Sequence, residues 1–185
     1  MELKPLTLET WEEFAELFGD RGACGGCWCQ WWRISRSDFN RFKGEGNRRR
    51  MRQLVERGEI PGLLGFLDQR AVAWCAVAPR NQFPQLDRSR ILARVDGQPV
   101  WSLACFFIAR PFRRRGLSAD VIDGACRFAR EHGATILEGY PLEPQKSALA
   151  DAFAWTGLAS AFRRAGFIEV ARRSPTRPIM RRELK

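Results

Sequence analysis

The sequence predicts an α/β protein of the α+β kind, with a mixed sheet and helices on both faces. Three observations carry that prediction. Apolar segments at 62–67 and 71–77 flank the polar Asp68, Gln69 and Arg70, the pattern of a hairpin. Residues 100–108 are almost wholly apolar, as in a central strand covered on both sides. Leu117, Val121, Ala125 and Phe128 then follow helical spacing up to Gly133, and 135–140 reads as another strand. A strand, helix, strand run of that kind makes the two strands parallel through a crossover.

The remaining elements follow in chain order. Leu3, Leu6 and Leu8 suggest a short first strand. Thr10 with Glu13 reads as a capping box opening a helix that runs to Phe18 and stops at Gly19. A Gly/Cys/Trp segment covers 22–33. Helices are expected at 37–43, with Ser37 or Asp38 as cap, and at 47–57. Residues 79–90 read as loop. A late helix at 157–165 ends at Gly166, and strands at 167–171 and 179–184 close the chain.

Length and composition narrow the function classes. The chain has 185 residues, which fits one domain, and 45% of them are hydrophobic, enough for a core. Its 13 Phe and 7 Trp exclude full disorder. No apolar run reaches the length of a membrane span. Met1 to Pro5 lacks the layout of a secretory signal, so a cytoplasmic protein is expected. The formal net charge of +10 invites a nucleic-acid reading, but Arg outnumbers Lys heavily and sits in short scattered clusters rather than one tail. The one histidine, His132, stands at a helix end, which speaks against a Ser-His-Asp triad or a His-rich metal site.

The segment that carries chemistry is the apolar strand feeding Arg110, Pro111, Phe112, Arg113, Arg114, Arg115, Gly116, Leu117 and Ser118, which opens directly into a helix. First-turn amides have no intrahelical partner and the helix dipole is positive there, so a phosphate suits the position. The other reading is a glycine loop beside a solvated Arg run. Residues Arg113, Gly116 and Ser118 resemble the R/Q-x-x-G-x-G/A signature of the GNAT acetyltransferase superfamily. Phe162, Arg163, Arg164, Ala165, Gly166 and Phe167 are similar to that family's late helix and its Gly-Phe ending. The resemblance covers about 60–171 well and the first 60 residues poorly.

The resemblance implies a GNAT-like, mostly antiparallel central sheet with a splayed parallel strand pair. It implies one acyl-CoA N-acyltransferase domain over 1–185, with acceptor-side helices and the Cys/Trp segment in 1–59 and the sheet core and CoA site in 60–185. It implies an acetyl-CoA-dependent N-acetyltransferase that transfers the acyl group directly to an unidentified amine. Acetyl-CoA as co-substrate would meet Phe107, Ile108, Arg113, Arg114, Arg115, Gly116, Leu117 and Ser118, with an amide near Phe107 polarising the thioester. Glu138, with Glu143 second, is the candidate base, and Tyr140 the candidate acid or substrate contact. The family's late-helix tyrosine, four residues before the glycine, is Phe162 here. That departure keeps a second reading alive, a module that binds acyl-CoA without turnover. A basic nucleic-acid-binding protein ranks last.

Cys24, Cys27 and Cys29, interleaved with Trp28, Trp31 and Trp32, allow three readings. The C-x-x-C-x-C spacing suits zinc thiolates, but no second such pair supplies a fourth ligand, so no metal is assigned. Core packing is the second. The third is an apolar aromatic wall for the acceptor, made by Cys27, Trp28, Cys29, Trp31 and Cys105. The expected partner is a small-molecule or peptide amine, with no membrane; a homodimer is compatible with this reading.

Overall fold

The computed structural model describes residues 1–144 and 155–185. Seven strands form one sheet: β1 (Glu2–Pro5), β2 (Leu63–Leu67), β3 (Arg70–Pro79), β4 (Trp101–Ile108), β5 (Ile136–Gly139), β6 (Ile168–Arg172) and β7 (Pro178–Glu183). Their order across the sheet is β1-β2-β3-β4-β5-β7-β6, and β4–β5 is the one parallel pairing among them. The predicted mixed, mostly antiparallel sheet is therefore present. Asp68 and Gln69 both take positive φ, and Leu67 pairs with Arg70, so the hairpin turn holds two residues rather than three. Positive φ at both central positions matches the twist of the flanking strands.

Helix α1 (Trp11–Phe18), α2 (Arg36–Arg41) and α3 (Glu45–Glu56) precede the hairpin, and a short α4 (Pro84–Asp87) interrupts the expected loop. Helix α5 (Leu117–Glu131) is the crossover, and α6 (Ala159–Arg164) is the late helix. The capping box at Thr10 does not form. Its hydroxyl accepts from the Thr7 amide at 3.0 Å and donates to the Pro5 carbonyl at 2.8 Å, tying down the turn before the helix. Ser35, not Ser37 or Asp38, caps α2, accepting from the Asp38 amide at 3.1 Å.

The two faces of the sheet carry separate cores. On one, Leu103 and Phe106 pack with Val121, Ile122 and Ala125 of α5 and with Phe162 of α6. On the other, Leu64, Trp74 and Ala104 pack with Phe14 and Phe18 of α1 and with Trp28. Gly139 lets β5 and α6 close: a Cβ there would lie 2.1 Å from Phe162 Cε1.

Two features of β4 position everything that follows. Ala76 pairs with Cys105 but Val77 with Leu103, so Ala104 is an extra residue, a β-bulge. And β4 pairs with β5 only from Trp101 to Leu103, then continues alone to Ile108. The parallel pair is splayed, and a gap opens beside the far half of β4.

Just before the gap, a buried ionic network closes the sheet. Glu138 is 1% exposed, Arg80 2% and Tyr140 0%. Glu138 Oε1 accepts from Arg80 at 2.6 Å and from the Tyr140 hydroxyl at 2.8 Å, while Oε2 accepts from Arg181 Nε at 2.7 Å. Ser102 hydrogen-bonds the Tyr140 hydroxyl at 2.7 Å. Arg80 continues to Asp87 and the Leu92 carbonyl, both at 2.8 Å, and Arg181 to Asp96 at 2.6 Å. Burial, and then the Glu138 charge, hold the Tyr140 phenol well above its ordinary pKa. Removing one partner of a buried ion pair leaves the other charge uncompensated. Replacing Glu138 with Gln is accordingly expected to cost about 3 kcal/mol of folding stability in urea titrations. A loss near zero would show that the two guanidiniums find other partners.

Candidate active site

The gap beside β4 is a groove of about 380 Å³. Its walls are Phe106, Phe107 and Ile108 of β4, the turn from Phe112 to Ser118, and Trp155, Gly157 and Leu158 opposite. The turn forms because Pro111 starts a tight helical turn after the strand and Gly116 reverses the chain at φ 79°. Gly116 caps α5 with no side-chain hydrogen bond, and its α-carbon faces open space, with nothing within 4 Å of a Cβ built there. The unpaired first-turn amides of α5 therefore look onto the groove floor, where an anion is favoured.

Seven of the eight expected cofactor positions, Phe107, Ile108, Arg113, Arg114, Gly116, Leu117 and Ser118, line this groove. Arg115 does not, and stacks instead on the Phe112 ring at 5.5 Å. Arg113 reaches back to donate to the Ile108 carbonyl at 2.9 Å, so it shapes the turn as well as charging its rim.

The backbone of β4 narrows the expected amide near Phe107 to one residue. The Phe106 amide points away from β3 and donates to the Trp155 carbonyl at 2.6 Å, while the Ala109 amide points to β3 and donates to the Val72 carbonyl at 2.9 Å. Amides alternate along an antiparallel strand. Hence the Phe107 amide is turned into the β3 ladder, and it is the Ile108 amide that faces the groove.

A second pocket, about 320 Å³, adjoins the first and shares Ala23, Cys24, Phe106, Phe107 and Trp155 with it. Cys27, Cys29, Trp31 and Cys105 line it as expected, together with Phe18, Phe39 and Lys43. Trp28 does not. It is 4% exposed and stacks on Phe18 at 5.5 Å in the core. Trp31 packs edge-on against Phe39 at 5.1 Å and Trp155 at 6.2 Å, with the Arg36 guanidinium 3.1 Å from its ring centroid. Among the described residues the lining holds no carboxylate and one ammonium, Lys43.

Neither Glu138 nor Tyr140 reaches either pocket. Ser102, the pairing partner of Glu138, lies five residues before Phe107, about 17 Å of strand. Both Glu138 oxygens are already engaged, and Tyr140 is sealed with them. The catalytic reading of these two residues is therefore replaced by a structural one. Glu143 is no better placed: hydrogen bonds from Arg163 and Arg172 hold its carboxyl below the ordinary range. Phe162 is fully buried against Phe106 and Phe167, with ring centroids at 5.8 and 4.9 Å, and offers no acid. His132 acts as a cap, its Nδ1 at 2.8 Å from the Phe128 carbonyl.

Trp155, Leu158, Phe18 and Ala23 were missed from the sequence. Phe18 carries only the periodicity of a core residue, and Trp155 stands in a stretch without pattern. Among the described residues no group of His, Cys, Asp and Glu side chains is arranged to hold a metal ion, and no helix is long and apolar enough to cross a membrane.

Comparison with known proteins agrees with this geometry. Solved structures with the same fold include a GNAT-family acetyltransferase from Listeria monocytogenes (TM-score 0.60, 12% identity, 99% of this chain and 94% of that one). A ribosomal-protein-alanine N-acetyltransferase from Brucella melitensis matches with TM-score 0.56 and 14% identity over 100% of both chains. PaiA N-acetyltransferase from Thermoplasma acidophilum, in complex with coenzyme A, matches with TM-score 0.53 and 13% identity over 98% of both. At such identities these likenesses speak to the fold alone. No curated protein matches the sequence. The family model described as the acetyltransferase (GNAT) family matches residues 28–150, two thirds of the sequence, and the chain belongs to that family.

Proposed function

We propose that the protein is an acetyl-CoA-dependent N-acetyltransferase acting on an apolar or aromatic amine. The observation that carries the reading is the pair of adjoining pockets. One offers helix amides and arginines to a polyanion, and the other offers rings and thiols to an apolar acceptor. They meet at Phe106, Phe107 and Trp155, where a thioester and an amine would meet. The pyrophosphate sits on the turn from Arg113 to Ser118, and the pantetheine arm lies along β4 with the Ile108 amide as its donor. The amine nitrogen attacks the thioester carbonyl, the tetrahedral adduct collapses, and the coenzyme A thiolate leaves. A thiolate is a tolerable leaving group without an acid, so Phe162 slows the reaction rather than blocking it.

No carboxylate lines the acceptor pocket among the described residues, so the amine enters neutral or passes its proton to water. The same absence argues against a polycationic acceptor, which needs ionic partners. Phe162 at the position of the family's late-helix tyrosine is what favours the second reading, a module that binds acyl-CoA without turnover.

Acetyl-CoA at about 100 times its Kd should raise the melting temperature by roughly 5–10 °C. No shift would remove both readings, and thiol release over a panel of apolar amines separates them. Gly116→Val forces a β-branched residue to φ 79° at the groove floor. It should weaken acetyl-CoA binding at least about tenfold, while the far-ultraviolet spectrum stays unchanged. Unaltered affinity would mean the phosphates lie elsewhere. Trp31→Ala should raise the acceptor KM about tenfold and leave acetyl-CoA affinity as it was, which initial rates and calorimetry distinguish. Equal losses in both would contradict the division into two pockets.

A further inference from the structure

Acyl transfer makes no use of the sulfur chemistry on the acceptor side. Cys29 stands at φ 57°, directly after Trp28 at φ 42°. An L side chain is strained in that left-handed region, which is why glycine or asparagine is usual there. Cysteine occupies the position nonetheless, and its sulfur is held in a set of donors. The Trp74 indole N–H donates to Cys29 Sγ at 3.2 Å. The Cys105 thiol lines the same pocket and donates to the Phe106 carbonyl at 3.9 Å, and its interaction with Cys29 holds the Cys29 thiol below its ordinary value. The half-buried Arg33 guanidinium supplies positive charge nearby, fixed by the Pro61 carbonyl at 2.9 Å and the Phe83 ring at 4.5 Å. Cys105 first, then Trp74 and Arg33, lower the Cys29 pKa against its burial. Its neighbours move the other way: Cys105 rises well above the ordinary thiol value, and burial pushes Cys27 up to about 12.

The fold explains why the two thiols share one pocket. Strict alternation along β4 would turn Ala104 and Cys105 to opposite faces. The extra residue at Ala104 turns both toward the face that carries Trp74 and Cys29. Both thiols line the acceptor pocket, so a small solute entering it reaches the pair.

We propose that Cys29 and Cys105 are an oxidisable dithiol that takes a small hydroperoxide, with Cys29 as the attacking sulfur and Cys105 as the resolving one. The Cys29 thiolate attacks the terminal peroxide oxygen, the O–O bond breaks, and the other oxygen leaves as hydroxide or alkoxide while Cys29 becomes a sulfenic acid. The Cys105 sulfur then attacks Cys29 sulfur, the S–S bond forms, and the sulfenic oxygen departs as water with the Cys105 proton. Both sulfurs are oxidised and the peroxide oxygens reduced. The product ties the Cys/Trp segment to β4 across the acceptor pocket and leaves the cofactor turn untouched.

The test treats the full chain with hydrogen peroxide, alkylates the remaining thiols under denaturing conditions and maps peptides by mass. A Cys24→Ser background removes the exposed competing thiol. The expected result is loss of two alkylatable thiols, a disulfide joining the Cys29 and Cys105 peptides, and recovery of both thiols with dithiothreitol. In Cys105→Ala the disulfide is lost and dimedone traps a sulfenic acid on Cys29. Continued alkylation of Cys29 after peroxide, or a bond from Cys29 to Cys27, overturns the proposal. The readout is covalent, so it stands or falls independently of any acyltransferase activity.

Discussion

The parting of β4 from β5 after Leu103 is the constraint on which the rest of the structure depends. A sheet satisfies its backbone by pairing, and a strand with one edge unpaired for five residues leaves amides and carbonyls on that edge to be met by something else. Here the Trp155 carbonyl meets one, the Arg113 guanidinium meets another, and the Ile108 amide faces the groove. The opening is thus a consequence of how the two strands pair. The α5 N-terminus lies at its end because the crossover helix starts where β4 stops.

What allows the strands to part in one place is that they are locked in another. Glu138, Arg80, Arg181, Tyr140 and Ser102 join β3, β4, β5 and β7 in one buried set of hydrogen bonds immediately before the gap. Ion pairs of this kind are weak sources of net stability, since desolvation offsets the attraction. Their strength lies in geometry. Each carboxylate oxygen accepts from a defined donor, so β5 has one register against β4 and β7, and the gap begins at one residue. The same engagement removes Glu138 and Tyr140 from the chemistry that their position near the end of β5 suggested.

Sequence patterns carried the sheet, the crossover and the strand-to-helix turn because each depends on local chemistry: a long apolar run, a helical period, and a glycine before a helix. Side-chain direction near the gap was not legible. One extra residue at Ala104 interrupts the alternation, so Ala104 and Cys105 turn to the same face. Nor does composition separate Trp28 from Trp31, three positions apart in the same run. A left-handed turn at Trp28 and Cys29 sends the first ring into the core and leaves the second at the pocket. Long-range partners such as Arg80 and Arg181 for Glu138 leave no mark in sequence spacing.

The net charge of +10 has a similar explanation. Arginine is suited to roles beyond surface charge because its planar fork meets carbonyls, carboxylates and rings together. Arg33 grips the Gln82 side chain and the Pro61 carbonyl, and Arg173 the Ala93 and Arg94 carbonyls. Arg182 reaches Asp123 and the Ala165 carbonyl, while Arg48 and Arg50 lie over Trp28 and Phe42. These guanidiniums fasten loops and helices that short strands and a divided core leave loosely held. A lysine has neither the reach in two directions nor the flat face for such contacts. The bias toward arginine, which in the sequence resembles a signal for nucleic acid, therefore has a use within the fold, and the clusters at 48–50, 172–173 and 181–182 mark where segments distant in the chain are fastened to one another.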